Sequence, residues 1–484
     1  MSRELRKVAG QLPDFFKAGP VYLVGGSLRD RILGRPSNDY DFAVAGDAIA
    51  LAKRAATRLG ARVIQIGKQD KVVHRVVSGD KIFDFSPLKG ETIDEDLRSR
   101  DFTMNGLGYD LASQRMIDPV GGLDDIGSRT IRLISEQAIL ADPIRMLRAF
   151  RLAAALEFEI ARHSLTVIKK HAALIVESAA ERIRAELLAM TETERSFAYL
   201  KQMADVGLLM KLIPELEPCR GCPADNRGSG LLEHLMRTYE EIETILREFP
   251  TVWPGYAEAI RDYLGNNSRA ALLKWSGLLH DLGKPETQSF DSAGKVRYLG
   301  HEERGCVIAR GLCLRLKMST DERSYIERIV ENHMHPLHLF EARRNGMLTT
   351  RGIARFARRH EDHIIGLLVH SLADQRAKAG HTAASDDAFV RFSNEILRRY
   401  FVNLGPTLKA PKLITGKDFI AHFGLKPSKL FGKLLHQVEE ARLQGEISTR
   451  EEAFELVERL LRMEGDAGIE PESVRVSRDF PDGV

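Results

Sequence analysis

Cysteine is scarce in this chain: four residues in 484 cannot build the disulfide framework of a small secreted scaffold. That usage suits a reducing compartment. Long apolar runs are missing as well, since no stretch approaches the roughly 18 residues a bilayer-spanning helix needs, and the opening "MSRELRKVAGQLPDFFKAG" has no apolar core of the signal-peptide kind. These absences point to a cytoplasmic protein without membrane contact. Net charge is small too: 71 Lys and Arg against 68 Asp and Glu leave +3, which neither demands nor excludes a polyanionic partner. Distribution says more than the sum. Arginine-dense patches stand at "IRMLRAFRLA", "ERIRAEL" and "RGIARFARRHEDH", each on a helix-like pattern.

What is present is ordinary globular material, 43% hydrophobic and 29% charged, in a chain long enough for about two to four domains. There is no internal repeat. "PVYLVGG" and "DYDFAVAG" read as buried strands, and between them "SLRDRILGRPS" has helical spacing closed by Gly34 and Pro36. "ARVIQIG", "KVVHRVV" and "KIFDFSP" are further strand candidates. From "ISEQAILADPIRMLRAFRLAAAL" onward the pattern becomes amphipathic helix after helix, with little strand signal. "IPELEPCRGCPADNRGSG" is rich in Pro, Gly, Cys and Asn and reads as a linker. Cys219 and Cys222 within it form a single Cys-x-x-Cys, half of a zinc site without a matching second pair, so unliganded thiols are expected.

The stretch "VGGSLRDRILGRPSNDYDF", Val24 to Phe42, carries the first concentration of chemistry. Asp39 and Asp41 lie at i and i+2, which on a strand puts both carboxylates on one face. Held that close they repel unless a cation neutralises them, and Mg²⁺ is the expected occupant. Gly25 and Gly26, directly after a strand, let backbone N–H groups approach phosphate oxygens. A metal-chelated nucleoside triphosphate satisfies both features. Asp84 in "KIFDFSP" is a candidate third carboxylate on a neighbouring strand. Asp142 and Arg145 are read as three apart on one helix, an acceptor and a fork able to read a base edge.

In this order the motifs resemble the class II tRNA nucleotidyltransferases and bacterial poly(A) polymerases, a branch of the DNA polymerase beta superfamily. "RDFTMN", Arg100 to Asn105, is similar to the family's Arg-Arg-Asp-Phe-Thr-x-Asn motif, with Ser99 in place of the first arginine. "IDPVGGLDDI" resembles the element that follows, and "ADPIRMLRAFRL" the Glu-Asp-x-x-Arg motif, with Ala141 in place of the glutamate. The resemblance implies catalysis by Asp39, Asp41 and Asp84, and nucleotide binding by Gly25, Gly26, Ser27, Arg29, Arg100, Asp101, Asn105, Asp142, Arg145, Arg148 and Arg151. Asp101 and Arg29 could equally serve the triphosphate or the fold. It further implies tRNA, CTP and ATP as partners. The connection from Asp84 to Asp101, "DFSPLKGETIDEDLRSRD", is short where the family's full CCA-adding members carry a flexible loop, and that leans toward addition of CC only or another restricted product.

A second concentration is "GLLHDLGKPE", with His280 and Asp281 adjacent, supported by His234, His301, His333 and Asp374. Imidazoles and carboxylates spread over separate helices suit a divalent metal with open positions. The set resembles the HD superfamily of metal-dependent phosphohydrolases, which implies His234, His280, Asp281 and Asp374 as core ligands and His301 and His333 as additional ones. The metal's identity is left open.

The expected fold class is α+β: a polymerase-beta-like nucleotidyltransferase head, a small mixed sheet with helices, then an all-helical neck and body and a helical HD domain. Expected bounds are 1–140 for the head, 141–216 for the neck, 217–230 for the linker, 231–381 for the HD domain, 382–465 for a C-terminal helical region and 466–484 for a disordered tail. Two alternatives stay open beside 3′ extension of tRNA. One is a poly(A) polymerase on RNA 3′ ends; the other is a protein whose HD phosphohydrolase site does the main work.

Overall fold

The computed structural model describes residues 20–67, 72–226, 228–266, 268–378, 380–424 and 429–466. The expected tail falls outside these from residue 467 on. The chain divides into two compact units, one running to Glu217 and including Leu312–Ser319, the other taking Pro218–Gly311 and Thr320 onward.

The first unit opens on a seven-stranded mixed sheet in the order β3-β4-β5-β2-β1-β6-β7. Its strands are β1 (Val21–Val24), β2 (Asp39–Val44), β3 (Val63–Ile66), β4 (Val73–Ser78), β5 (Lys81–Pro87), β6 (Gly108–Asp110) and β7 (Met116–Ile117). β2 pairs parallel with β5 and antiparallel with β1. Alternation along β2 explains its place: Tyr40 and Phe42 stack on Phe83 and Phe85 with ring centroids 5.0 and 5.2 Å apart, while Asp39 and Asp41 take the opposite face. Phe42 and Phe85 are fully buried, each stabilising the fold by roughly 1.5–3 kcal/mol.

Helix α1 (Gly25–Ile32) starts directly off β1 and buries Leu28. Helix α2 (Ala48–Leu59), capped by the Asp47 carboxylate at one end and by left-handed Gly60 at the other, packs on β4 and β5. Helix α3 (Ile93–Arg98) begins with a Thr92/Glu95 capping box and sets Leu97 against Val24 and Ala43. Beyond the sheet come α4 (Gln137–Ala141), α5 (Arg145–Leu156) and α6 (Ala180–Thr191), with α5 packed on α6.

In the second unit, α7 (Leu231–Val252), α8 (Arg269–Leu279), α9 (His301–Arg315, to Gly311 in this unit), α10 (Thr320–Asn332) and α11 (Ile364–Arg376) carry the histidines or lead into them. Every residue of α8 from Ala271 to Leu279 is buried, as a helix packed on α7, α10 and α11 must be. At Gly277 a Cβ would lie 2.4 Å from Ile242 Cδ1, so only glycine lets α8 come this close to α7. Residues 414–457 build a smaller core of their own around Phe419, Leu434 and Val457.

Outside the seven-stranded sheet the strands are the two-residue pair β8 (Thr130–Ile131) with β9 (Glu159–Ile160) and the hairpin β10 (Gln288–Phe290) with β11 (Val296–Tyr298), all too short to show a period of two. The expected linker is packed down where it is described. Its irregular backbone is satisfied by the hairpin region: Tyr298 Oη donates to Pro223 O at 2.5 Å, Lys284 Nζ to Ala224 O at 2.9 Å, and Val296 N to Asn226 Oδ1 at 2.7 Å. Cys219 and Cys222 are buried thiols outside any disulfide, and burial pushes Cys219 up to about 12.

Candidate functional site

Register across the sheet assembles the first site. Asp41 on β2 lies opposite Asp84 on β5, and Asp84 lies opposite Arg75 on β4, so three strands present a row of charges on one face. Arg75 grips Asp84 with two bonds, Nε to Oδ1 at 2.8 Å and Nη2 to Oδ2 at 2.7 Å. Asp41 is mostly buried, and that burial, with Asp84 next to it, pushes its carboxyl above the usual range, while the Ser27 N–H and Arg100 pull the other way.

The row opens into a cleft of about 550 Å³ lined by Gly25, Gly26, Asp41, Asp84, Arg100 and Arg145 among others. Gly25 sits at φ +71°, where a Cβ would come 3.0 Å from an Arg100 guanidinium nitrogen and 3.5 Å from Asp41 Oδ2. Glycine therefore keeps open the space between the arginine and the carboxylate. The Ser27 hydroxyl donates to Val24 O at 3.0 Å and accepts from Asp41 N at 3.1 Å, which ties the start of α1 to β2. Arg31, absent from the sequence-based set, clamps the approach to β2 through Ser27 O at 2.7 Å, Ser37 O at 2.9 Å and Asp39 O at 3.0 Å. Asp39 shares the Asp41 face but is exposed and stands outside the cleft lining.

Asp101, Asn105 and Arg148 also line the cleft. Burial opposes ionisation of Asp101, yet Arg148 at 3.1 Å and the Asn105 amide at 2.9 Å outweigh it and hold the carboxyl below its usual range. Asn105 in turn accepts from buried Arg29 at 2.9 Å, so Arg29 supports the wall without lining it. Arg151 pairs with Glu186 at 2.7 Å and stays outside the lining.

One expected arrangement is overturned. Asp142 and Arg145 do not share a helix face, because Pro143 forces the residue before it out of helical backbone, and Asp142 sits at φ −159° and ψ +93° between α4 and α5. There it accepts two bonds from Arg182, at 2.9 and 2.8 Å. Arg145 instead donates to Ala138 O at 3.3 Å and remains in the cleft wall.

The second constellation converges as well. His234 Nε2 lies 3.1 Å from Asp374 Oδ1 and 3.6 Å from Asp281 Oδ2, His280 Nε2 is 3.1 Å from Asp281 Oδ2, and His301 and His333 reach Asp281 Oδ1 at 3.2 and 3.6 Å. Backbone carbonyls fix the tautomers. Nδ1 of His280, His301 and His333 faces the carbonyls of Gly277, Tyr298 and Val330 at 2.9, 2.7 and 2.8 Å; a carbonyl only accepts, so each Nδ1 carries the proton and, in the neutral ring, each Nε2 has a lone pair. Lone pairs thus face carboxylate oxygens, and Nε2 of His234, His280 and His301 and Oδ1 of Asp281 are buried without a hydrogen bond. A cation is what this donor set fits. Lys284 Nζ at 2.6 Å from Asp281 and Lys378 Nζ at 2.7 Å from Asp374 help keep both carboxylates far below their usual range against the cost of burial. Burial pushes His333 down to about 3. The sequence-based set missed His370, a fully buried ring with both nitrogens unbonded, 4.9 Å from the His280 ring. Its signal was present: it stands four residues before Asp374 on α11, one turn away on the same face.

Comparison with known proteins bears on the domains that hold these sites. The chain matches the family models of the poly(A) polymerase head domain over residues 21–95 and 85–132, of the probable RNA and SrmB-binding site of polymerase A over 157–220, and of the HD domain over 231–376. The A-adding tRNA nucleotidyltransferase of Deinococcus radiodurans is 30% identical over 446 residues, covering 90% of this chain and 94% of that protein. The chain belongs to the tRNA nucleotidyltransferase family. The CC-adding tRNA nucleotidyltransferase of Thermus thermophilus is 29% identical over 445 residues, 91% of this chain and 93% of that one. Among solved structures, the Thermotoga maritima CCA-adding enzyme complexed with tRNA superposes with a TM-score of 0.61 at 20% identity, covering 94% of this chain and 95% of that one. A CCA-adding enzyme with ATP gives 0.64 at 19% identity, covering 97% and 95%. These likenesses establish the mixed-sheet head followed by helical domains. Both domain families are metal-dependent, and among the described residues two overlapping buried groups of histidine and aspartate, both at the HD centre and sharing His280, are placed to hold an ion. No helix of the described residues is long and apolar enough to cross a membrane.

Proposed function

We propose that this chain is a cytoplasmic enzyme that extends the 3′ end of tRNA with nucleotides taken from CTP or ATP, and that the head performs the transfer. The observation that carries this reading is the row of Asp41 and Asp84 beside the Gly25–Gly26 start of α1, in a cleft walled by Arg100, Arg145 and Arg148. There Asp39, Asp41 and Asp84 would hold magnesium, which would supply activation of the RNA 3′ hydroxyl and charge neutralisation for the leaving pyrophosphate. The backbone N–H groups opening α1 and the Arg100 guanidinium receive triphosphate oxygens. Arg145 and Asp142 read the edge of the incoming base once Asp142 leaves Arg182. The basic faces of neck and body hold the acceptor arm through phosphates, largely by shape.

Restricted addition is favoured over full CCA synthesis. Between Asp84 and Asp101 the chain is occupied by the end of β5, a five-residue connection and the capped helix α3, which leaves no long loop for switching between bases. CC addition is the first reading; A addition is the second, favoured by the 30% identity to an A-adding relative. Transcripts ending before CCA, after C and after CC, offered CTP and ATP separately, decide between them. Growth from the unextended end to CC with CTP alone supports the first, a single A placed only on CC supports the second, and a long tail makes the chain a poly(A) polymerase.

The HD centre supports a second activity, hydrolysis of a phosphoester, favoured by buried imidazole lone pairs converging on Asp281. Release of 4-nitrophenol from the model diester bis(4-nitrophenyl) phosphate, lost in His280→Ala, tests it.

A further inference from the structure

Arg75 is used by neither reading above, and the sequence gives no motif for it. It lies at the end of the charged row, half-exposed, with both nitrogens of its fork on Asp84. Asp39 and Asp41 also act on its charge. Like charges on directly opposed strand residues repel, and Asp41 faces Asp84 across β2 and β5. On this sheet Arg75 is the cross-strand partner that relieves the repulsion, and it does so by holding both oxygens of one candidate metal ligand.

We propose that Arg75 is the counter-ion of the metal-free head: it occupies Asp84 until a nucleoside triphosphate arrives, so that free divalent cation is disfavoured and cation and nucleotide enter as one complex. This rests on reading the head as the nucleotidyl-transfer site. A guanidinium bonded at both oxygens of Asp84 competes directly with a cation for that ligand and repels it from Asp41. The triphosphate adds negative charge on the other side of the cation, which tips the competition, and the half-exposed Arg75 is released toward solvent. Arg75 is thus a positioning residue, and its effect is a positive coupling between nucleotide and metal affinity.

The experiment titrates Mn²⁺ onto the full-length protein by electron paramagnetic resonance. Sites lost in Asp41→Asn are assigned to the head, which separates them from the HD centre. Arg75→Gln is expected to tighten head Mn²⁺ binding by about three- to tenfold without nucleotide, the scale of one partly exposed charge pair, and the gap is expected to shrink below about twofold with a non-hydrolysable CTP analogue. A merely structural Arg75 would loosen the site and weaken binding. Asp84→Asn, which frees Arg75 but removes the shared ligand, is expected to weaken head binding. Unchanged or weaker Mn²⁺ binding in Arg75→Gln, an undiminished gap with the analogue, or full affinity in Asp84→Asn each overturns the proposal. Should Asp41→Asn leave both Mn²⁺ binding and nucleotide incorporation intact, the reading of the head itself falls, and that result is distinct from the others.

Discussion

The two centres of this molecule solve the same problem, concentrating negative charge where a cation is wanted, in opposite ways. In the head Asp41 and Asp84 lie at the wall of an open cleft and are balanced by partly exposed arginines, Arg75 on Asp84 and Arg100 near Asp41, and at the start of the neck the half-exposed Arg182 does the same for Asp142. In the HD domain the ligands are almost wholly buried, their rings are locked by backbone carbonyls, and their lone pairs have nowhere else to point. An open site with exchangeable counter-ions suits a metal that comes and goes with substrate. A sealed site with orphaned donors suits a resident one.

The contrast breaks most visibly by crossing the substitutions. Asp41→Ala is expected to reduce nucleotide incorporation by about 10³-fold, the several kcal/mol that a metal-held charge supplies in the transition state, and to leave phosphoester hydrolysis unchanged. His280→Ala should do the reverse, with incorporation within about twofold of the parent. If either substitution abolishes both activities, the centres are not independent.

The next effect concerns metal retention. After gel filtration without added metal, elemental analysis should find the ion of the HD centre still bound and that of the head gone, and Asp281→Ala should remove the retained ion. Restoring the ion to chelator-treated protein at a hundred times its Kd should stabilise the second unit by about 2.7 kcal/mol. A chelator that leaves its melting transition unmoved argues for a centre without a structural ion.

Acid should separate the two centres in metal-free protein. Burial and His280 hold His333 down to about 3, and His370 is held well below its ordinary value as well. The unfolded chain takes up protons on both rings below about pH 6.5, where the folded one resists them, so stability falls as pH falls, by about 2 kcal/mol at pH 5 for His333. His301 works the other way: burial opposes its protonation but Asp281 outweighs it and raises its pKa, leaving two rings against one. Asp281 and Asp374, held low, lose their contribution only below the ordinary carboxylate range. In the head Asp41 has a raised pKa, so its ionised form is the disfavoured one and acid stabilises. Calorimetry from pH 8 to pH 5 should therefore lower the transition of the second unit while the first holds; parallel shifts would erase the distinction.

The readable part of each centre is the part that local spacing controls. A period of two put Asp39 and Asp41 on one face, and an apolar run into Gly-Gly marked β1 and the start of α1. Arg75 escaped because its meaning lies in strand register across β4, β5 and β2, which no local window contains. Asp142 was misplaced because helical periodicity was carried through Pro143, where the backbone rule for the preceding residue wins. The histidines were legible as a set through the HD resemblance. The carbonyls that fix their tautomers were not, since backbone donors and acceptors leave no letter in the sequence.

The smallest expected effect sharpens the head's half of the comparison. Arg182 is half-exposed and holds Asp142 by two bonds at 2.9 and 2.8 Å, so water screens the pair and its net worth is about 1 kcal/mol or less. If Asp142 reads the base only after leaving Arg182, the pair is a small ground-state cost on nucleotide binding, and it also fixes the direction of the Asp142 side chain. Arg182→Ala removes both effects. Orientation should dominate, because Pro143 leaves Asp142 in extended backbone with no helix to hold it, and freeing it restores the side-chain entropy that binding must then remove. The expected result is a rise in KM for the cognate nucleotide of about three- to fivefold, with kcat changed by less than twofold and a weakened preference between CTP and ATP. A fall in KM would mean that Arg182 restrains Asp142 more than it guides it, and that this arginine acts as a latch rather than as a guide.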